Sequence, residues 1–145
     1  MIADLAHQRT SVHVTGWDVG GKQAIDVEAG ESAISAELDG RRSGAAVLAQ
    51  ALAERHERIA TATPLSQPEA RAMAEARYRE RARRFLRGTG VCDGEPAIRA
   101  GTVVELSDLG PLCDGPYVVT LVRHTFDQRP GFRTTFEVER PGIGG

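Results

Sequence analysis

Apolar and polar residues alternate along three stretches in the last third of the chain. These stretches cover residues 102–106, 117–126 and 132–138, and clusters of Gly, Pro and Asp separate them. Alternation with a period of two is typical of β-strands, and Gly, Pro and Asp favour turns. The pattern therefore predicts a C-terminal β meander over residues 99–140.

The two longer stretches differ in how their faces are covered. In the middle stretch one face would carry Tyr117, Val119 and Leu121, and the other Val118, Val122 and Phe126. Both faces of this strand are therefore expected to meet other protein. In the last stretch the apolar residues fall on one face and charged residues on the other, so this strand is expected to have a solvated face.

The first half of the chain shows the same alternation and then a change of period. Val12 and Val14 alternate with polar residues, which predicts N-terminal strands within residues 10–38, and Trp17 is expected to pack at the bend after them. From residue 45 apolar positions recur every three or four residues, which predicts a helix over 45–60. A second helix is predicted over 67–87, because a capping box with proline in the first turn precedes it.

The order of these elements is strands, helix, helix, strands. Strands at both ends with helices between them favour an α+β fold built on an antiparallel sheet, either barrel-like or sandwiched. At 145 residues the chain is expected to form a single domain over 1–145, with the two helices inserted between N-terminal and C-terminal strands.

Composition and charge narrow the class of protein. A formal net charge of -2 gives no overall attraction to nucleic acid or to anionic membranes. No stretch approaches the roughly 18 apolar residues of a membrane helix, and the N-terminus lacks the layout of a signal peptide. The chain is therefore expected to be synthesised in the cytoplasm without a signal peptide and to have no membrane partner. Cys92 and Cys113 are interpreted as small apolar residues at the rim of the sheet.

Candidate catalytic and metal-binding residues are weak at the level of sequence. His124 and Asp127 suggest a small hydrolase, but no nucleophile has a signature such as Gly-x-Ser-x-Gly. His7, His13 and His56 are scattered and show no metal-ligand spacing. We therefore expect no catalytic residue, no cofactor and no metal site.

Paired acids and glycines add little to this interpretation. Asp26 and Glu28 share a strand face, as do Glu137 and Glu139, and solvated strand faces explain both pairs. Glycine is frequent, but no Gly-x-Gly-x-x-Gly or Walker pattern leads from a strand into a helix. A phosphate-binding loop is therefore not predicted.

The predicted second helix carries a surplus of positive charge. Residues 69–87 contain seven arginines and three glutamates. The arginines can form a phosphate-binding surface, so one alternative is that the chain is a nucleic-acid-binding module. The favoured interpretation is that Glu75–Arg79 and Glu80–Arg84 form pairs on the helix, and that the other arginines meet acids elsewhere in the chain or in a partner. The candidate interface residues are Arg77, Arg81, Arg84, Arg133, Glu137 and Glu139.

Residues 70–142 resemble the hub proteins of contractile injection systems, namely the phage late control protein D family and the hub part of VgrG-type spikes. The resemblance lies in the segments RARRFLRGTG, EPAIRAGTVVELSDLG and DGPYVVTLVRHTFDQRPGFRTTFEVERPG, and the N-terminal SVHVTGWDVGGKQAI also looks like the family pattern. It implies a tube-domain barrel and a structural, non-enzymatic baseplate hub that links the tail tube to the spike. The nucleic-acid-binding module with helix 69–87 and the small hydrolase remain alternatives.

The resemblance also implies partners and a location. Hub proteins assemble as trimeric rings and contact tube and spike proteins, so self-association and these partners are expected, whereas nucleic acid is not favoured. The chain is expected to be part of a phage or phage-tail-like particle. Because such hubs are longer, it is also expected to be a fragment or shortened form of a longer hub.

Overall fold

Ten strands and three α-helices build the part of the chain that the computed structural model describes, which is residues 1–60, 63–129 and 131–144. In chain order the elements are β1 (Ile2–Ala3), β2 (Ser11–Asp18), β3 (Gln23–Ala29), a 3₁₀ helix (Glu31–Ile34), α1 (Ser35–Leu38), β4 (Arg42–Ser43), α2 (Gly44–Ala51), β5 (His56–Ile59), α3 (Gln67–Arg83), β6 (Leu86–Asp93), β7 (Val103–Leu106), β8 (Gly115–Asp127), β9 (Gly131–Arg140) and β10 (Gly142–Ile143). The fold is mixed α+β with an antiparallel sheet curled into a half-barrel, which confirms the predicted class.

The half-barrel sheet has the strand order β1-β6-β9-β8-β7. β7, β8 and β9 pair as antiparallel neighbours in the region where alternation predicts a meander. β6 pairs with the other edge of β9, from Leu86 opposite Arg140 to Asp93 opposite Arg133. Residues 86–93 therefore belong to the sheet, and Leu86 and the preceding Phe85 are buried.

A second sheet of three strands has the order β3-β2-β5. β2 and β3 form an antiparallel hairpin, whereas β5 runs parallel to β2. The inner face of this sheet carries Val12, Val14 and Ile25, which pack against Ala74 and Tyr78 of α3 in one core cluster. The opposite face of the sheet is turned away from α3, since successive side chains of a strand point to opposite sides.

α3 begins as the sequence predicts. The Glu69 N–H donates to Ser66 Oγ at 3.4 Å, and the Glu69 carboxylate accepts from the Leu65 N–H at 2.8 Å. The first contact satisfies one amide that the first helical turn leaves without a partner, and the second fixes the residue before the N-cap to the helix. Ala70, Ala74 and Tyr78 form the buried stripe that faces the three-stranded sheet.

The bounds of three predicted elements are wrong. The helix predicted over 45–60 ends at Ala51, because the backbone turns at Ala53 with φ 155° and residues 56–59 pair with β2 as a strand. Strands were predicted through 10–38, but 31–38 is helical. The helix predicted over 67–87 ends at Arg83, since the next residues pair with β9.

The predicted faces of β8 hold only for its first half. Tyr117 and Val119 are buried as one face requires, but a β-bulge lies between Val119 and Leu121. Beyond it Leu121 is 45% exposed and Phe126 82% exposed, whereas Val122 packs against the core. The extra residue shifts the alternation, so the expectation that both faces of β8 meet other protein is wrong.

The predicted solvated face of β9 agrees with the structure. Thr134, Phe136 and Val138 are buried on one side, and Arg133 and Glu137 are exposed on the other. The buried side closes the second core cluster, which contains Phe85, Leu86, Tyr117 and Val119 as well.

Candidate functional site

The outer face of the three-stranded sheet gathers polar and aromatic side chains. Because Val12 and Val14 of β2 face α3, the alternate residues Ser11, His13, Thr15 and Trp17 lie on the opposite side. The register places His13 opposite Glu28, and Thr15 opposite Asp26. We call this surface, made of His13, Thr15, Trp17, Asp26, Glu28 and His56, the outer face.

Two histidines and a glutamate meet at one end of the outer face. One ligand atom of each of His13, Glu28 and His56 lies within 4.8 Å of the other two. The His13 Nε2 atom is 3.5 Å from Glu28 Oε1, and the two imidazole rings meet edge to face with centroids 6.1 Å apart. The scattered histidines of the sequence thus include two that the fold brings together.

A buried serine and a second carboxylate contact the ring nitrogens of these histidines. The buried Ser11 Oγ lies 2.7 Å from His56 Nδ1 and 3.3 Å from His13 Nε2. Asp26 Oδ1 lies 3.7 Å from the other nitrogen of His13, Nδ1. The ring of His13 therefore has a carboxylate on each side, and its Nε2 atom is the one turned toward Ser11 and Glu28.

A cleft with an exposed tryptophan lies at the other end of the outer face. It has a volume of about 360 Å³ and is lined by Thr15, Gly16, Trp17, Ala60, Thr63, Pro64 and Leu65. Trp17 is 55% exposed, so the expectation that it packs at the bend is wrong. A Cβ atom on Gly16 would lie 2.7 Å from Pro64 Cγ, so only glycine lets the Pro64 segment close this side of the cleft.

Four arginines in the second half of α3, and Arg84 directly after it, are paired with acids of the chain itself. Arg77 and Arg81 both bind Glu57 of β5, with shortest distances of 3.0 and 2.9 Å. Arg83 binds Glu37 at 2.7 Å, and Arg84 binds Glu80 at 2.8 Å as predicted. Arg79, which was expected to pair with Glu75, is 3.4 Å from Glu37.

Glu57 is the centre of this network. Burial alone would raise the pKa of Glu57, but hydrogen bonds from Arg81 and then Arg77 outweigh it and lower the pKa below its usual range. Because the folded pKa is lowered, this carboxylate stabilises the fold at neutral pH, and the contribution is lost as the pH falls through the acidic range.

Replacing Glu57 by Gln should lower the free energy of unfolding by about 1–2 kcal/mol at neutral pH, because two partly exposed arginines lose their shared carboxylate. Urea unfolding at neutral and at acidic pH measures this, and the difference from wild type should shrink in acid. The exposed Glu105 offers a control, since Glu105→Gln should change stability by less than about 0.5 kcal/mol. An effect of Glu57→Gln equal to that of the control would contradict the network.

The remaining candidate interface residues lie on the polar face of β9. Arg133 Nη1 is 2.9 Å from Asp93 Oδ1. Glu137 and Glu139 line a cavity of about 420 Å³ beside Arg87. Burial raises the pKa of Glu139, and the nearby Arg84 opposes the shift. Arg84 and Glu139 are therefore neighbours, whereas Arg77 and Arg81 point to Glu57.

His124 is exposed and contacts two side chains of β9. Its Nδ1 atom is 2.9 Å from Thr134 Oγ1, and its ring lies 5.6 Å from the ring of Phe132. Asp127 lies at the end of β8, opposite Gly131 in the hairpin register. His124 is therefore hydrogen-bonded to a threonine of the adjacent strand.

Comparison with protein families places residues 2–128 in a family related to glycosyltransferases. The matching family is described as the Alg8 N-terminal domain, and because the match covers most of the chain, the chain belongs to this family. No curated protein matches the sequence significantly.

This assignment overturns the resemblance to contractile-system hubs. The expected structural role in a phage tail, the expectation that the chain is not an enzyme and the location in a phage particle are all wrong, because the matched family is glycosyltransferase-related and membrane-associated. The nucleic-acid-binding module and the small hydrolase are no better supported. The trimeric ring and the tube and spike partners depend on the hub resemblance alone and stay untested.

Among the described residues, no helix is both long and apolar enough to cross a membrane.

Proposed function

We propose that this chain is a saccharide-binding domain of a glycosyltransferase-type protein, and that the sugar lies in the cleft beside Trp17. The observation that carries this proposal is the exposed indole of Trp17 in a cleft of about 360 Å³. Tryptophan is highly buried on average in folded proteins, so a half-exposed indole in a concave site favours a binding role.

The chemistry of the cleft suits a sugar ring. The C–H groups on one face of a pyranose form an apolar surface that packs against an aromatic ring, while the hydroxyl groups around its edge need hydrogen-bond partners. Trp17 provides the aromatic ring, and Thr15 and Thr63 provide hydroxyl groups that both donate and accept. Pro64 and Leu65 add apolar walls.

The family assignment supports the choice of ligand. A glycosyltransferase acts on a saccharide acceptor, and a linked binding domain raises the effective concentration of that acceptor near the enzyme. The outer face also extends beyond the cleft, since Trp17 and His13 are four residues apart on one strand and about 13 Å from each other along it. A ligand longer than one sugar ring can therefore lie along β2.

The tryptophan fluorescence of the chain comes from this site alone, because Trp17 is its only tryptophan. We expect titration with tetrasaccharides of β-linked glucose, β-linked N-acetylglucosamine or α-linked glucose to shift the tryptophan emission to shorter wavelength. At least one of these probes should give a saturable shift. UMP serves as a separate arm, because a shift with UMP and none with any sugar would indicate base stacking and contradict the proposal.

Variants of the cleft sharpen this test. Trp17→Ala should weaken binding, measured by calorimetry, about tenfold or more, because a central aromatic anchor contributes about 2 kcal/mol. Trp17→Phe should retain part of the affinity. Leu121→Ala is the control, since Leu121 is also an exposed apolar residue but lies on the half-barrel sheet. Equal affinity of wild type and Trp17→Ala would overturn the proposal.

A further inference from the structure

We infer that the outer face holds a divalent transition-metal ion, for which Zn²⁺ is the best fit. The ligands are Nε2 of His13, one ring nitrogen of His56 and the carboxylate of Glu28. These donors come from three adjacent strands, and their ligand atoms lie within 4.8 Å of one another.

The donor set and its spacing match zinc chemistry. Two donors that each lie about 2.0–2.2 Å from a tetrahedral ion are about 3.3–3.5 Å apart. The His13 Nε2 and Glu28 Oε1 atoms are separated by 3.5 Å, which is the spacing of two ligands of one tetrahedral ion. Two imidazoles and one carboxylate favour zinc over Mg²⁺ or Ca²⁺, which prefer oxygen ligands.

The neighbours of the ligands orient them for this role. Asp26 faces Nδ1 of His13 at 3.7 Å, so a proton on Nδ1 points toward a carboxylate and Nε2 stays available for the ion. Ser11 is buried, and its Oγ is 2.7 Å from His56 Nδ1 and 3.3 Å from His13 Nε2, so the ion has to replace the second of these contacts. Second-neighbour contacts of this kind fix the ring orientation and tautomer of metal-binding histidines.

Three protein ligands leave the fourth position of a tetrahedral ion open. Glu28 and His56 are exposed, so this position is accessible to water or to an oxygen atom of a bound molecule. Because the ion would share the outer face with Trp17, an anionic or hydroxyl oxygen of a ligand along β2 can reach it. The metal site does not require the saccharide site, since no metal ligand lines the Trp17 cleft.

Zinc binding is tested with the full chain freed of any histidine tag. Competition with a chromophoric zinc chelator in excess Mg²⁺ should show one Zn²⁺ per chain, and Co²⁺ should give the intense visible bands of a tetrahedral site. His13→Asn, His56→Asn and Glu28→Gln should each weaken binding more than tenfold. Asp26→Asn should weaken it about tenfold, as expected for a residue that positions a ligand.

Controls separate this site from other donors of the chain. His124→Asn changes a histidine of the half-barrel sheet and should leave binding unchanged. The double variant Cys92→Ser, Cys113→Ser removes both free thiols and should also bind one ion. Circular dichroism verifies that each variant is folded. Less than one ion per wild-type chain, or folded His13→Asn and His56→Asn variants that bind like wild type, would overturn the inference.

Discussion

Replacing Arg140 by Met should lower the free energy of unfolding by about 3–5 kcal/mol, the largest effect that we expect from a single substitution. Arg140 is only 2% exposed, although it is charged. Its guanidinium donates to three carbonyl oxygens, those of Gly142, Asp114 and Leu112, each at 2.8 Å. It also lies over the ring of Tyr117, 4.5 Å from the centroid.

The size of the effect follows from what the substitution leaves behind. Met fills a similar volume but has no N–H group, so the carbonyl groups of Gly142 and Asp114 lose this donor, whereas that of Leu112 keeps the Gly144 N–H at 3.2 Å. An unsatisfied buried polar group costs about 1–3 kcal/mol, and the contact with the ring adds about 1 kcal/mol. Burial lowers the pKa of Arg140, which reflects the desolvation that these acceptors and the Tyr117 ring offset.

Two further variants make this test specific. Arg140→Lys keeps a charge but cannot reproduce the planar fork of donors, so it should lose about half as much stability. Arg133→Met is the matched control on the outward side of the same strand, where its contact with the exposed Asp93 contributes at most about 1 kcal/mol. Urea unfolding at neutral pH compares all three. Equal losses for Arg140→Met and Arg133→Met would contradict the role assigned to Arg140.

Local patterns predicted the class of the fold but could not locate every strand. The helical period that begins at residue 45 is real as far as Ala51, and nothing in the residues after it signals that 56–59 will pair with β2. A parallel pairing across more than forty residues depends on tertiary contacts and overrides local propensity. The bulge after Val119 could not be predicted from local patterns either, because alternation alone does not show where one extra residue enters a strand.

The sequence allows one part of the histidine cluster to be predicted, namely the pairing of His13 with Glu28. A two-residue hairpin turn at Gly20 and Gly21 sets a register in which His13 lies opposite Glu28, as in the structure. The position of His56 beside His13 could not be predicted, because the apolar period predicts a helix over 45–60. The exposure of Trp17 could not be predicted either, since it depends on how the Pro64 segment meets Gly16.

The resemblance to hub proteins failed for a physical reason. The segments that carried it are strands and turns of a curled antiparallel sheet, with alternating apolar residues and glycines between them. Many unrelated proteins meet these requirements in the same way, so shared pattern reflects shared geometry rather than shared function. The predicted α+β class is therefore confirmed, whereas the predicted function as a baseplate hub is wrong.

Tyr78 should lower the free energy of unfolding by about 2 kcal/mol between pH 10 and pH 12. Burial, and secondarily the charge of Glu31, raise the pKa of Tyr78 from 10.0 to about 12. Between these values the unfolded chain has lost the phenol proton and the folded chain retains it, so rising pH favours unfolding. Two pKa units correspond to about 2.7 kcal/mol over the whole titration, of which about 2 kcal/mol is lost between pH 10 and pH 12.

A comparison of the two tyrosines of the chain isolates this effect. The Tyr78 hydroxyl is buried and has no hydrogen-bond partner in the described residues, so Tyr78→Phe should be neutral or stabilising by up to about 1 kcal/mol at pH 7. This variant should also lose the part of the decline above pH 10 that Tyr78 causes, whereas Tyr117, whose pKa burial also raises, keeps its own part. Tyr117 donates to the Cys113 carbonyl at 2.6 Å, so Tyr117→Phe should lose about 1 kcal/mol at pH 7 and keep the alkaline decline that Tyr78 causes. Urea unfolding from pH 7 to pH 12 measures both. Tyr78→Phe has no phenol at this position. If its free energy of unfolding fell above pH 10 as steeply as that of wild type, the Tyr78 hydroxyl would not be the group that titrates.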